Sequence, residues 1–188
     1  MKRRLESLQA ALAKAAAVSV KARLCRLVPQ LDLGGAPDWL FTSGKPNRYN
    51  PRGVDCIYFS ESAETAQAEH DSFWRRTAGE SQPVTTFYAQ VKLGRVLDLT
   101  DGATLKVLGI KKKDLSASWR RAKSPTLTQM LGREVSESRL FSAIRYPSEP
   151  AKTEGKEGCN LVIFKGNVKS PDQVEILGRG TSPLQKWP

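Results

Sequence analysis

Within "RYNPRGVDCIYFSESAETAQAEH", residues 48–70, three side chains able to do chemistry fall at successive structural junctions: Arg48, Tyr58 and Glu69. A loop arginine offers a planar fork of donors suited to a phosphate or a sugar hydroxyl. A strand tyrosine offers a flat ring for stacking and a hydroxyl for hydrogen bonding. A helix glutamate offers a carboxylate that can face a developing positive charge. Each also has an ordinary reading: a surface arginine, a core tyrosine, a solvated helix glutamate. A chain that needed only a strand and a helix has no reason to place all three so closely, which raises the question whether they surround one ligand.

The elements that must position them follow from pattern. Residues 32–53, "DLGGAPDWLFTSGKPNRYNPRG", are dense in Gly, Pro, Asn and Asp and read as a long irregular loop anchored by Trp39, Phe41 and Tyr49. "VDCIYFS" is the clearest strand, apolar and β-branched or aromatic at most positions. Ser62 reads as an N-cap, with Glu64 in the first turn, of a helix running to about Arg76. On that helix Ala63, Ala66, Phe73, Trp74 and Thr77 form one apolar side, with Glu69 at its margin.

Upstream, residues 5–17 read as a helix on Leu5, Leu8, Leu12 and Ala16, and "ARLCRLVPQ" as a strand ending near Pro29. Downstream, "PVTTFYAQVKLGRVLDLT" reads as two strands or one bent strand with Gly94 at the break. Helices are expected over Asp101–Ile110 and Ser124–Glu137, the second with Ser124 as N-cap and Pro125 at its first position. "RLFSAIRYP", "CNLVIFKG" and "QVEILGRG" read as short strands. Strands interleaved with helices predict a mixed α+β domain.

The 188 residues fit one domain able to bury a core without metals or disulfides. No apolar run approaches the roughly 20 residues needed to cross a bilayer. The N-terminal stretch superficially resembles a signal peptide, but Glu6, Gln9 and Lys14 interrupt any apolar region. Cys25, Cys56 and Cys159 are widely spaced, and His70 is the only histidine, so no zinc pattern exists and the reducing cytoplasm is the expected compartment. Residues 102–188 carry 16 basic and 8 acidic side chains, so +8 of the net +11 lies there. The densest run, Lys111–Lys123, reads equally as a docking surface for an acidic partner or as a solvated face.

The order of an arginine loop, "IYFSESAETAQAE", a late "IRYPSEP" and "CNLVIF" resembles the RES-domain family over about residues 21–165. The resemblance implies an N-terminal helix in residues 1–20, the family core in 21–165, and a C-terminal strand and tail in 166–188. It also implies an ADP-ribosyltransferase-like fold, a split β-sheet core with flanking helices, and the toxin of a bacterial toxin–antitoxin pair that consumes NAD. Carried over, the family arginine falls on Arg48, with Tyr49 for the common tryptophan and Asn47 where glycine is frequent. The strand tyrosine falls on Tyr58, the helix glutamate on Glu69, the serine on Ser148 and the asparagine on Asn160. Arg48, Tyr58, Glu69 and Ser148 are then the expected catalytic set, Ser148 positioning substrate or Glu69. Arg48, Tyr58, Arg26 and Asn160 would contact NAD. "SEPAKTEGKEGCN" departs from the family's shorter, arginine-containing connection.

Cleaving the nicotinamide–ribose bond builds oxocarbenium character, which Glu69 would stabilise. The expected outcome is transfer of ADP-ribose to a protein, with NAD glycohydrolase or phosphorylase activity as the alternative and a basic nucleic-acid-binding module as the rival class. A Xre- or ParS-like antitoxin is the partner that the resemblance implies. No Gly-x-Gly-x-x-Gly arrangement links a strand to a helix, so NAD would be a consumed substrate, and no metal is expected. His70 points away from Glu69 on the helix and no Gly-x-Ser-x-Gly elbow is present, which argues against a serine hydrolase.

Overall fold

The computed structural model describes residues 2–30, 44–77, 83–120, 122–177 and 183–188. Trp39 and Phe41 of the expected loop lie outside them, as do the side chains of Leu5 and Thr77.

Two long strands form the frame. β1 (Val18–Pro29) and β3 (Val84–Asp98) pair antiparallel from Val18↔Val96 to Pro29↔Val84. β3 is one strand, and Gly94 marks a bulge: pairing steps from Val20↔Leu93 to Val18↔Val96, which leaves one extra residue on β3. The Gly94 N–H donates to Asp172 Oδ1 at 2.6 Å, and Arg95 pairs with the same carboxylate at 3.2 Å. The other strands are β2 (Ile57–Ser60), β4 (Ala143–Pro147), β5 (Cys159–Ile163), β6 (Gln173–Ile176) and β7 (Gln185–Trp187). Their order is β1-β2-β5-β4-β3-β6-β7, and because β1 also pairs with β3 the first five strands close on themselves. Among the described residues only β3 and β4 run parallel.

Closure creates two cores. Leu161 and Ile163 of β5 join Ile57, Phe59 and Leu24 inside the strands, whereas Val162 and Phe164 join the helix-side core with Leu8, Leu131 and Val135. β5 is therefore buried on both faces, which explains its uninterrupted apolar run.

Among the described residues six α-helices, one of them a single turn, and a short 3-10 helix (Lys165–Asn167) complete the fold. α1 (Lys2–Leu12) ends earlier than expected, leaving Ala16 outside it; β1 already begins at Val18, because Val18 and Val20 are β-branched and pair with β3. α2 (Ala63–Thr77) is capped as expected, with Thr65 N–H donating to Ser62 Oγ at 3.1 Å. Its buried side differs from the expected one: Ala63 and Phe73 are exposed, while Thr65, Ala68 and Ser72 are buried. Small residues are needed there because Gly158 comes so close that a Cβ would clash with Thr65.

α3 (Gly102–Leu108) is capped by Asp101 and ends at Gly109, whose φ of 64° suits glycine. α4 (Lys112–Leu115) is a single turn. α5 (Leu127–Ser138) starts later than expected, capped by Thr126 in place of Ser124, with Thr126 and Gln129 bonding each other's backbone N–H groups at 3.3 and 3.0 Å. α6 (Glu149–Thr153) falls within the unusual connection. No described helix is long and apolar enough to cross a membrane. No group of three or more His, Cys, Asp or Glu among the described residues is placed to hold a metal ion.

Candidate active site

β1 and β2 share only the Cys25↔Ser60 register pair, so the ring of strands is nearly open there. A cleft of about 310 Å³ fills the splay, lined by Arg26 of β1, Tyr58 and Ser60 of β2, Glu69 of α2, and Arg48, Tyr146 and Asn160. Arg26 bridges the gap, its Nη1 donating to the Tyr58 carbonyl at 2.8 Å.

The arginine loop is built from its backbone outward. Asn50 is fully buried and its amide donates to Lys45 O at 2.7 Å and Val54 O at 3.0 Å. The Tyr58 hydroxyl donates to Asn50 Oδ1 at 2.8 Å and accepts from Tyr49 N–H at 2.9 Å. From the other side Gln129 Nε2 of α5 donates to Asn47 O at 2.9 Å. Gly132, one turn on, lies against the Tyr49 carbonyl so closely that any Cβ would overlap it. Arg48 is thereby presented to the cleft, with Nη1 donating to Leu115 O at 2.7 Å. Its Nε and Nη2 bond to no described residue. Tyr58 thus serves the loop with its hydroxyl while its ring lines the cleft.

Opposite, Glu69 is held through one oxygen. Ser148 Oγ donates to Glu69 Oε1 at 2.9 Å, and Asn160 Nδ2 donates to the same atom at 2.7 Å. Asn160 is oriented in turn by Ser60 Oγ, which donates to its Oδ1 at 2.7 Å. Ser148 also caps α6, accepting from Ala151 N–H at 3.3 Å. Ser148 is buried and does not line the cleft, so its contact is with Glu69. Glu69 Oε2 makes no hydrogen bond to a described residue.

The arrangement brings Arg26, Arg48, Tyr58, Glu69 and Asn160 to one cleft and places Ser148 directly behind Glu69. It also adds residues that pattern did not single out. Trp119 and Arg120 fall within the Lys111–Lys123 run, which reads equally as a docking surface or a solvated face, and they line the cleft. The Arg120 guanidinium lies 4.6 Å from the Trp119 ring and 5.4 Å from the ring of exposed Phe73, which also lines the cleft. His70 lines the rim as well, edge-on to Trp74 at 6.0 Å. Gly132 carried a readable signal, since a glycine inside a helix commonly marks close approach of another backbone. Tyr146 did not, because a strand tyrosine reads as core.

Burial pushes the phenols of Tyr49, Tyr58 and Tyr146 above their ordinary range. All three therefore stay protonated hydrogen-bond donors at neutral pH. Chemically, the cleft sets cationic donors for an anion beside a rigidly held carboxylate.

The RES domain family model matches residues 24–185. This chain belongs to the RES-domain family. A chain of the M. tuberculosis MbcT–MbcA toxin–antitoxin complex shares the fold, with a TM-score of 0.69 at 14% identity over 92% of this RES chain and 90% of that one. No curated protein matches the sequence. The RES fold is thus the ADP-ribosyltransferase-like α+β architecture that the motif order implied.

Proposed function

We propose that this RES domain is the toxin of a bacterial toxin–antitoxin pair, and that it cleaves NAD in the cytoplasm and transfers ADP-ribose to a protein. The observation that carries this reading is Glu69, anchored through Oε1 by Ser148 and Asn160 while Oε2 remains available in an arginine-lined cleft. When the nicotinamide–ribose bond breaks, its electron pair leaves with nicotinamide, which departs neutral, and the sugar takes on oxocarbenium character. A preorganised carboxylate stabilises that charge more than the ground state. Arg48, and Arg26 beside it, suit the pyrophosphate, and the Tyr58 ring suits the nicotinamide. Ser148 and Asn160 act through Glu69. A nucleophile on the acceptor protein then adds to the sugar carbon and loses its proton.

A glycohydrolase or phosphorylase would use the same carboxylate. The spare donors of Arg48 favour keeping that reading, since they could also orient inorganic phosphate as the acceptor. A nucleic-acid module is less favoured because Trp119 and Arg120 of the basic run turn into the cleft.

The test is NAD labelled in its adenylate phosphate, incubated with the purified protein and cell extract. Label retained on protein supports transfer, free ADP-ribose indicates hydrolysis, and a phosphorylated ADP-ribose formed only with added phosphate indicates phosphorolysis. Absence of nicotinamide release would sink the NAD reading. An antitoxin of the Xre or ParS-like kind is the proposed partner, covering the cleft between Arg48 and Glu69; full NAD turnover by a copurified pair would count against it.

A further inference from the structure

Of the two strand tyrosines that line the cleft, Tyr58 and Tyr146, Tyr146 is the one whose hydroxyl the framework does not use. It is 7% exposed, yet its oxygen forms no hydrogen bond to any described residue. By contrast the Tyr58 hydroxyl both donates and accepts within the protein. A desolvated hydroxyl without a partner costs stability, so one held at a cleft surface points to a ligand as its missing partner. The ring is fixed: Tyr49 packs against it with centroids 4.4 Å apart, and across the sheet its register partner is Asn160, the residue that bonds Glu69. Tyr146 and Ser148 are two residues apart at the end of β4, so one strand end supplies both a cleft-lining hydroxyl and the anchor of Glu69.

The Tyr146 phenol lies within electrostatic reach of Glu69 and Arg48 but hydrogen-bonds neither. A donor and an acceptor, Glu69 Oε2, thus line the same cleft without bonding each other. The ligand group that satisfies both at once is a hydroxyl, which donates one hydrogen bond and accepts another. We propose that Tyr146 is a substrate-contacting residue: its hydroxyl and Glu69 Oε2 together grip one hydroxyl of the sugar whose bond is cleaved. The tyrosine donates to that oxygen and the carboxylate accepts its proton. Burial keeps the phenol protonated and thus in the donor form. This assignment rests on the NAD reading above.

Tyr146→Phe tests it, since the ring and its packing remain and only the hydroxyl is lost. Nicotinamide release from NAD should fall about ten-fold in kcat/KM, the size of one lost substrate hydrogen bond. The melting temperature of the ligand-free protein should stay level or rise, because an unsatisfied polar group has been removed. With NAD analogues lacking one or the other hydroxyl of the nicotinamide ribose, the ratio of wild type to Y146F should collapse to one for the hydroxyl that is gripped. Wild-type kcat/KM in Y146F would overturn the assignment while leaving the NAD reading intact. A lowered melting temperature in Y146F would overturn it too, by returning the hydroxyl to the framework. Absence of nicotinamide release from the wild type would instead remove the NAD reading, and this assignment with it.

Discussion

Arg48, on the loop before β2, and Arg145, in the middle of β4, are both half-buried arginines, but their surroundings differ in kind. Arg145 is neutralised: its Nε and Nη2 fork onto Glu61 at 2.6 and 3.1 Å, and Nη1 reaches Asp98 at 3.1 Å and Thr100 at 2.9 Å. That network ties β4 to the start of α2, and so fixes the distance between Ser148 and Glu69. Arg48 has no carboxylate partner among the described residues; its contacts are the carbonyls of Leu115 and Ala117. One arginine has its charge compensated and holds the frame, and the other keeps charge and donors in reserve for an anion. Charged groups left incompletely paired in a cleft are where function is expected.

The contrast can be broken in four ways. Glu69→Gln retains an oxygen for Ser148 and Asn160 but removes the charge facing the cleft. NAD cleavage should fall about 10²- to 10³-fold, the range for a preorganised electrostatic group, with little change in melting temperature. Unchanged nicotinamide release would take Glu69 out of the site.

Arg145→Met should act on stability in place of chemistry. Losing charged hydrogen bonds and leaving Glu61 and Asp98 uncompensated should cost about 1.5–3 kcal/mol in urea unfolding, while KM for NAD holds at any temperature where the fold persists. A variant as stable as wild type would dissolve the distinction. Arg48→Lys should do the reverse: a roughly ten-fold rise in KM, because a lysine cannot fork onto a pyrophosphate, with stability changed by less than about 1 kcal/mol. A KM equal to that of wild type would place the anion elsewhere.

The fourth test is alkaline. The phenols of Tyr49, Tyr58 and Tyr146 are raised on folding, so their contribution is complete below the unfolded tyrosine value of about 10 and declines as pH rises above it. Unfolding free energy should drop there by about 1.4 kcal/mol per pH unit for each such tyrosine. Tyrosinate absorbance that titrated fully while the protein remained folded would contradict their burial.

Much of this was legible in the chain. "CNLVIFKG" reads as a strand, and the order of Arg48, Tyr58 and Glu69 points at one cleft because each follows a recognisable junction. What escaped depended on long-range contacts. Ser124–Pro125 and Thr126 with Gln129 both satisfy helix-start rules, and the chain uses the second, in which Gln129 also reaches Asn47. Phe73 was counted as core because periodicity registers apolarity, whereas the close packing against Gly158 admits only small residues. The place of Trp119 and Arg120 in the cleft was not legible because a charge run carries no direction.

The connection from Glu149 to Gly158 is pinched shut at its base: Ser148 N–H donates to Gly158 O at 2.8 Å, and the loop holds a short helix of its own in between. Its two ends pack on α2: Ala151 is buried, Gly158 lies against Thr65, and Glu154 pairs with Arg75 at 3.3 Å. Residues 152–157 are exposed, and lengthening the chain there costs only a slowly growing loop entropy, whereas a larger side chain at Ala151 or Gly158 would push on the helix that carries the carboxylate.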